Sequence, residues 1–347
     1  MRSLRVGVIG AGYWGPNLVR NFARHPHSQV HAICDTRADR AARVGSEYRV
    51  PVVTENSAEV LDSSDIDLVV IATPSFTHAD LARAAIKAGK HVLVMKPLAT
   101  SVEDAEELVG LAEKQGVLLA VDHTFVFTGA VQKMKELVTA GEIGELYYFD
   151  SVRINLGLIQ TDVNVIWDLA PHDVSIMDYL IDEEAIGVSA TGACHGGSPT
   201  ENIAYVTVHY GDSLLGHIHV NWLAPAKVRR TIVGGSKRMM IYDDMEPSEK
   251  LKVYDKGVLI SQDQSAENEY QWMISYRSGD MHAPKLDSRE ALAVEADNIV
   301  QAINGQGTLE VDGQAGLRVV RILAAAQRSI DQGGARMAVI PAVTSPS

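Results

Sequence analysis

Cysteine is nearly absent from this chain: Cys34 and Cys194 are its two thiols in 347 residues. Two cannot build a disulfide framework or a cysteine-rich zinc site. Cys34 sits inside an apolar run and reads as a small core residue. Apolar runs stop short of the ~18 residues a membrane-spanning helix needs, so a membrane is not an expected partner. Positive charge is also scarce, with 31 lysines and arginines against 44 acids, a net charge of −13. That balance argues against nucleic acid as the main partner, but a local basic pocket can still take an anionic small substrate. Internal repeats and low-complexity segments are lacking too. The first strand-like run starts by Leu4, which leaves no room for a signal peptide and makes the cytoplasm the expected compartment.

What is present is globular: 46% hydrophobic and 22% charged residues over a length that suggests two domains. The first third alternates strand and helix patterns. Strands are expected at Leu4–Ile9, Val30–Cys34, Asp67–Ala72, His91–Met95 and Val117–Val121. Helices fall between them, one capped by Ser101 and another closed by Gly89. Repeated β-α units of this length predict a doubly wound parallel sheet, over residues 1–122. Residues 123–347 read differently, as an α+β domain. Alternating runs between Glu145 and Tyr242 predict an open, mostly antiparallel sheet with helices on one face, interrupted by a helix at Asp173–Ile181. Two helices, Ser288–Asn304 and Gly316–Gln332, and a short strand, Met337–Ile340, follow. The stretch Asp243–Ala283 is polar and irregular.

The first strand feeds into Gly10-Ala11-Gly12-Tyr13-Trp14-Gly15, a G-x-G-x-x-G loop opening a helix. Asp35 follows about 20 residues on, at the end of the second strand, completing a dinucleotide fingerprint. Gly10 permits the tight turn, Gly12 the approach of a pyrophosphate, and Gly15 close packing of helix on strand. The helix N-terminus favours the phosphates. An acid at Asp35 accepts from a ribose hydroxyl and repels a 2′-phosphate, which favours NAD(H) over NADP(H). Arg37, in the same Asp35-Thr36-Arg37 turn, would suit the phosphate instead.

Ligands of open α/β sheets bind beyond the carboxyl ends of the strands. There lie Thr73-Pro74-Ser75, leading to His78, and Met95-Lys96-Pro97. A lysine directly past a buried strand points into a cleft. Asp168 and His172 are four apart. A helix beginning at Asp168 would put both on one face, with Pro171 in the first turn and Asp168 orienting the His172 ring. In the plainer reading Asp168 caps the helix and His172 is a surface residue. His217 and His219 share a strand face without an evident third ligand, so no metal is expected. Lys227, Arg229 and Arg230 read as a solvated strand edge or a phosphate contact.

These motifs, in this order, resemble the Gfo/Idh/MocA oxidoreductases. The glycine loop is shared with many dehydrogenases; Lys96-Pro97 combined with D-x-x-x-H at Asp168 and His172 is more specific. The resemblance covers nearly the whole chain. It implies an NAD(P)-dependent enzyme acting on a sugar, polyol or nucleotide-sugar, and a homodimer or homotetramer joined through the second sheet. It makes Lys96 the donor to the reacting oxygen, His172 the acid/base and Asp168 its support. His123, Arg153 and Asn155 become candidate substrate contacts by position, as do Asp173 and Asn221. Two departures stand out. Met95 replaces a glutamate usual before Lys-Pro, and Asp122–Phe127 lacks an arginine common there. A second reading, a dinucleotide sensor without turnover, draws its support from Met95.

Overall fold

A computed structural model describes residues 2–157, 163–262 and 272–339. The first unit runs β1 (Leu4–Ile9), α1 (Gly15–Arg24), β2 (Ser28–Cys34), α2 (Ala38–Tyr48), β3 (Val52–Thr54), α3 (Ser57–Leu61), β4 (Leu68–Ile71), α4 (His78–Lys87), β5 (His91–Met95), α5 (Val102–Gln115) and β6 (Leu119–Asp122). Its six strands are parallel in the order β3-β2-β1-β4-β5-β6. The strand order reverses between β1 and β4, and that switch point opens the crevice where ligands bind in such sheets.

Period-2 alternation divides each central strand between two cores. On β4, Val69 and Ile71 enter the core beneath α4 and α5, while Leu68 and Val70 join Leu18 and Phe22 of α1 on the other face. β3 and α3, both very short, carry too few residues for a periodic signal, and the sequence reading passes over them.

The second unit opens with α6 (Gly129–Thr139), β7 (Leu146–Leu156) and α7 (Val165–Leu180). β8 (Ala185–Ala193), β9 (Ile203–Tyr210), β10 (Leu214–Asn221), β11 (Leu223–Gly235), β12 (Met239–Asp243) and β13 (Leu251–Tyr254) follow. β14 (Gly257–Gln262), β15 (Trp272–Arg277), β16 (Met281–His282), α8 (Ala291–Ile303), α9 (Gly313–Asp331) and β17 (Met337–Ala338) complete it. Nine of these strands form one sheet, ordered β16-β13-β12-β11-β7-β10-β9-β8-β17. It is antiparallel throughout except where β7 and β10 run parallel. Alternation reports which face a residue takes and not the strand's direction, so this parallel pair is invisible in sequence.

Three sequence expectations need correction. The central helix begins at Val165, well before Asp173, because Asn164 caps it: its side chain accepts from the amides of Ile166 and Trp167 at 3.1 and 3.2 Å. Pro171 consequently lies inside the helix rather than in its first turn. The polar stretch after Asp243 carries β13, β16 and a two-stranded β14–β15 hairpin. The end of the expected strand Met337–Ile340 lies outside the described residues.

α8 and α9 return to the first unit. Leu292, Ala296 and Ile299 of α8 pack into the α1 core, and Leu317 and Val320 of α9 into the α5 core. Val319, Ile322 and Leu323, on another stripe of α9, enter the second unit's core beneath its sheet. One helix therefore ties the two cores together.

Candidate active site

The carboxyl ends of β1, β2, β4 and β5 border a cavity of about 910 Å³. Its phosphate end is the glycine loop. Gly10 has φ +105°, a region L side chains avoid, and a Cβ there would lie 2.3 Å from the carbonyl oxygen of Ala72. A Cβ on Gly15 would meet the Gly10 carbonyl oxygen at 2.0 Å, so helix and loop interlock only without one. At Gly12 nothing lies within 4 Å, which leaves room for a ligand against the backbone. No side chain caps α1. Among the described residues the amides of Gly12, Tyr13 and Trp14 donate to no backbone acceptor. Open space at Gly12 with free amides at a positive helix end is a fit for a pyrophosphate. Tyr13 is 81% exposed and stands edge-on to Trp14 at the mouth.

Asp35 closes the adenosine end. Its carboxylate accepts from the Ala11 amide at 2.7 Å and from the Arg37 amide at 2.9 Å, which holds it against the glycine loop. Thr36 also lines the cavity, but the Arg37 guanidinium turns away to pair with Asp39 at 2.9 Å. Arg40, Glu55 and Ser57 complete this wall. None was singled out from sequence, because they belong to the first turn of α2 and to the short β3–α3 segment, which carry no motif. Burial, with Asp35 beside it, pushes the Cys34 thiol up to about 11.

The opposite wall is built by Thr73, Pro74, Ser75 and Phe76 after β4 and by Met95 and Lys96 after β5. His78 holds these loops together. Its Nδ1 lies 2.7 Å from the Pro97 carbonyl oxygen and its Nε2 2.9 Å from that of Thr73. Burial pushes this ring toward the neutral form, which donates to one carbonyl only. His78 lines the cavity, and both its ring nitrogens face backbone oxygens. Pro97 follows a cis peptide bond and does not line the cavity.

Lys96 stands at the far end of the cavity, beside Asp168. Its Nζ donates to the Asp168 carbonyl oxygen at 2.6 Å and lies 3.2 Å from Asp168 Oδ1. Pro171 removes an amide that the Trp167 carbonyl would otherwise receive and crowds that carbonyl, loosening α7 where the lysine reaches it. Asp168 Oδ2 accepts from Trp222 Nε1 at 3.0 Å. Asp168 therefore faces Lys96 and Trp222, which corrects the expectation that it orients His172. The His172 ring rests edge-on against Phe125, with centroids 5.0 Å apart. Its Nδ1 is buried without a partner, and among the described residues Nε2 has none either. Burial, then the charges of Lys96, Arg153, His123 and Arg229, pushes the ring well below the usual histidine range, so it is neutral at physiological pH.

The candidate substrate contacts divide. Arg153 is buried in an ion pair with Asp173, at 2.6 and 3.2 Å, and its guanidinium stacks over Phe125 at 4.3 Å. Ser151 donates to Asp173 at 2.7 Å, so Arg153 and Asp173 form an internal network rather than a cavity wall. Asn155 and Asn221 are half-buried on β7 and β10, outside the cavity. His123 is 1% exposed and likewise lies outside it. Arg229 joins Asp244 at 3.2 Å and reaches toward Phe125, while Lys227 and Arg230 stay exposed on β11. His217 and His219 stack on Tyr205. Among the described residues no three His, Cys, Asp or Glu side chains are grouped to hold a metal. No described helix is long and apolar enough to cross a membrane.

Known proteins share this layout. The chain is 28% identical over 322 residues to the UDP-N-acetylglucosamine 3-dehydrogenase of Acidithiobacillus ferrooxidans, covering 92% of this chain and 95% of that protein. A solved structure of that dehydrogenase superposes with a TM-score of 0.81 at 25% identity, covering 96% of this chain and 99% of that one. Inositol 2-dehydrogenase 3 of Saccharopolyspora erythraea is 34% identical over 188 residues, which span 53% of this chain and 55% of that protein. Levoglucosan dehydrogenase, solved with NADH and L-sorbose, shares the fold with a TM-score of 0.82 at 20% identity, covering 98% of this chain and all of that one. Residues 4–123 match the oxidoreductase family with an NAD-binding Rossmann fold, and residues 131–241 match the GFO/IDH/MocA C-terminal domain. The chain belongs to the GFO/IDH/MocA oxidoreductases.

Proposed function

We propose that this protein is an NAD(H)-dependent dehydrogenase that exchanges hydride with a secondary hydroxyl or ketone of a sugar, polyol or nucleotide-sugar. Residues 1–122 would hold the cofactor and 123–347 the substrate. One observation carries the reading: Lys96 projects from the dinucleotide cleft onto Asp168, in the helix that also presents a neutral, unpartnered His172. The bound nicotinamide supplies the hydride acceptor or donor. In the oxidation direction His172 takes the hydroxyl proton at Nε2, and the Lys96 ammonium stabilises the negative charge developing on that oxygen. Asp168 holds the ammonium in place. The relatives' substrates support the sugar or polyol class.

Asp35 in the cavity wall, with Arg37 committed to Asp39, supports NAD(H) over NADP(H). An open sheet face bearing exposed Tyr148, Tyr205 and Leu215 supports a homodimer or homotetramer, and the unpaired state of Cys34 and Cys194 suits the cytoplasm.

Lys96→Ala and His172→Ala should each lower turnover by about 10²–10⁴-fold while cofactor affinity holds. Full rates in both variants would overturn the mechanism. Met95 favours the sensor alternative. Tight NAD(H) binding by the wild-type protein, without reduction by any of a broad panel of polyols and nucleotide-sugars, would select it.

A further inference from the structure

His123 follows β6 and leads into a short 3₁₀ turn, Thr124–Phe127. Its ring is buried, and neither nitrogen has a protein partner. One buried polar atom left unpaired costs about 1–3 kcal/mol, so two on one ring call for an explanation. The ring lines a second cavity, of about 220 Å³, with Ser175, Asp178, Tyr179, Glu310 and Arg318 on its walls. A water occupies about 30 Å³, so several fit, and these walls offer each one polar partners. Glu310 is exposed and accepts from Tyr179 at 2.9 Å, which puts one end of the cavity at the surface.

The turn that His123 opens packs against His172. Phe125, two residues past His123, touches the His172 ring. Ser175, on the cavity wall, donates to the His172 carbonyl oxygen at 2.9 Å. His123 caps the turn whose Phe125 ring packs on His172. No direct hydrogen bond joins the two histidines, yet His172 Nδ1 is also buried and unpaired. Three ring nitrogens without protein partners thus flank the turn that carries Phe125.

We propose that His123 is the second member of a proton path joining His172 to solvent through this cavity, with a water bridging the two rings. The proposal rests on the dehydrogenase reading. During oxidation the hydroxyl proton arrives at His172 Nε2 while the Nδ1 proton leaves through the bridging water to His123. The other nitrogen of His123 gives its proton to cavity water and so to bulk. One proton enters and one leaves, and no electron moves along the path. The C–H bond breaks with its electron pair passing to the nicotinamide. Reduction runs the path inward. Each ring ends in its other tautomer and resets by exchange with water. Burial, with Lys96 adding, pushes the His123 ring down to about 3, so it rests neutral, and the concerted hop never accumulates an imidazolium.

The test combines a high-resolution crystal structure with two variants. Ordered waters should appear on His172 Nδ1 and on at least one nitrogen of His123; a dry cavity would overturn the proposal. His123→Phe keeps the ring volume without a proton carrier. His123→Gln keeps hydrogen bonding without tautomer exchange, and covers the case in which the phenylalanine variant fails to fold. Both should lose turnover by about 10-fold or more, enlarge the solvent deuterium isotope effect, and recover with added imidazole, at unchanged cofactor affinity. Wild-type rate and isotope effect in a folded variant, with Lys96→Ala and His172→Ala still inactive, would sink the path and leave the dehydrogenase reading standing. A wild-type protein inactive on every substrate would sink that reading, and the water structure alone would then judge the path.

Discussion

Met95 shows how one side chain changes a site. It lines the cofactor cleft beside Lys96 and pairs in register with Asp122 on the neighbouring strand. Burial pushes Asp122 above the usual carboxylate range, so a glutamate at 95 would add a second carboxyl next to one already short of water. A thioether avoids that conflict and leaves Asp168 as the acid against Lys96. At the other end of the cavity, the proposed preference for NAD(H) rests on repulsion of a 2′-phosphate by Asp35. Asp35→Ala should strengthen NADP(H) relative to NAD(H) by about 10-fold or more, read by titrating each against intrinsic fluorescence. An unchanged ratio would shift the assignment to Arg40, the cation that lines this wall.

Among the elements, the β1–α1 loop and α7 carry the site in different ways. The loop depends on missing side chains. Gly15→Ala would drive a Cβ into the Gly10 carbonyl oxygen, which backbone alone can relieve. The expected result is a loss of about 1–3 kcal/mol of stability together with weakened cofactor binding, measured by urea unfolding and by titration. Stability lost with cofactor affinity intact would show that the loop is not the phosphate seat. This loop was legible because its chemistry is local: the glycines and the acid at its end lie within two β-α units. α7 was half legible. D-x-x-x-H points to chemistry in the sequence, but the start of its helix at Val165 does not show there. The cap at Asn164 is hidden because Asn caps and Asn in loops look alike without the chain around them. The partners of Asp168 were misread for a related reason. Trp222 and Lys96 reach it from 54 and 72 residues away, and no periodicity reports such a meeting.

For the whole molecule, α9 and α8 join the two units and bury charge where they do so. Glu295 of α8 is buried beside Asp122, and burial, then that neighbour's charge, pushes its carboxyl well above the usual range. Asp122 is held by the amide and hydroxyl of Thr124, which fixes the turn bearing His123 and Phe125. The unfolded chain ionises Glu295 above about pH 4, while the folded chain holds its proton to higher pH. Stability from this pair is therefore present at low pH and falls as pH rises toward the folded values. Glu295→Gln should be more stable than wild type at about pH 7, with an advantage that shrinks toward about pH 5 by up to ~1.4 kcal/mol per pH unit. An advantage that does not change with pH would mean that the carboxyl is ionised in the fold. His123 has the opposite sign: its contribution is lost as pH falls below ~6.5, where the unfolded ring takes a proton and the buried ring does not.

The sequence by itself determined the dinucleotide loop, the parallel β-α units, the change to a mostly antiparallel sheet, and the lysine at the cleft. Each is written in local spacing, and spacing of 2 or 3.6 residues is a physical property of the backbone. Tertiary structure alone decided what those residues meet. It set Arg153 against Asp173, turned Arg37 onto Asp39, set His78 against two carbonyl oxygens, and buried His123 on the wall of a second cavity. Burial and pairing depend on segments far apart in the chain that share one low-dielectric interior, and only folding brings them within reach.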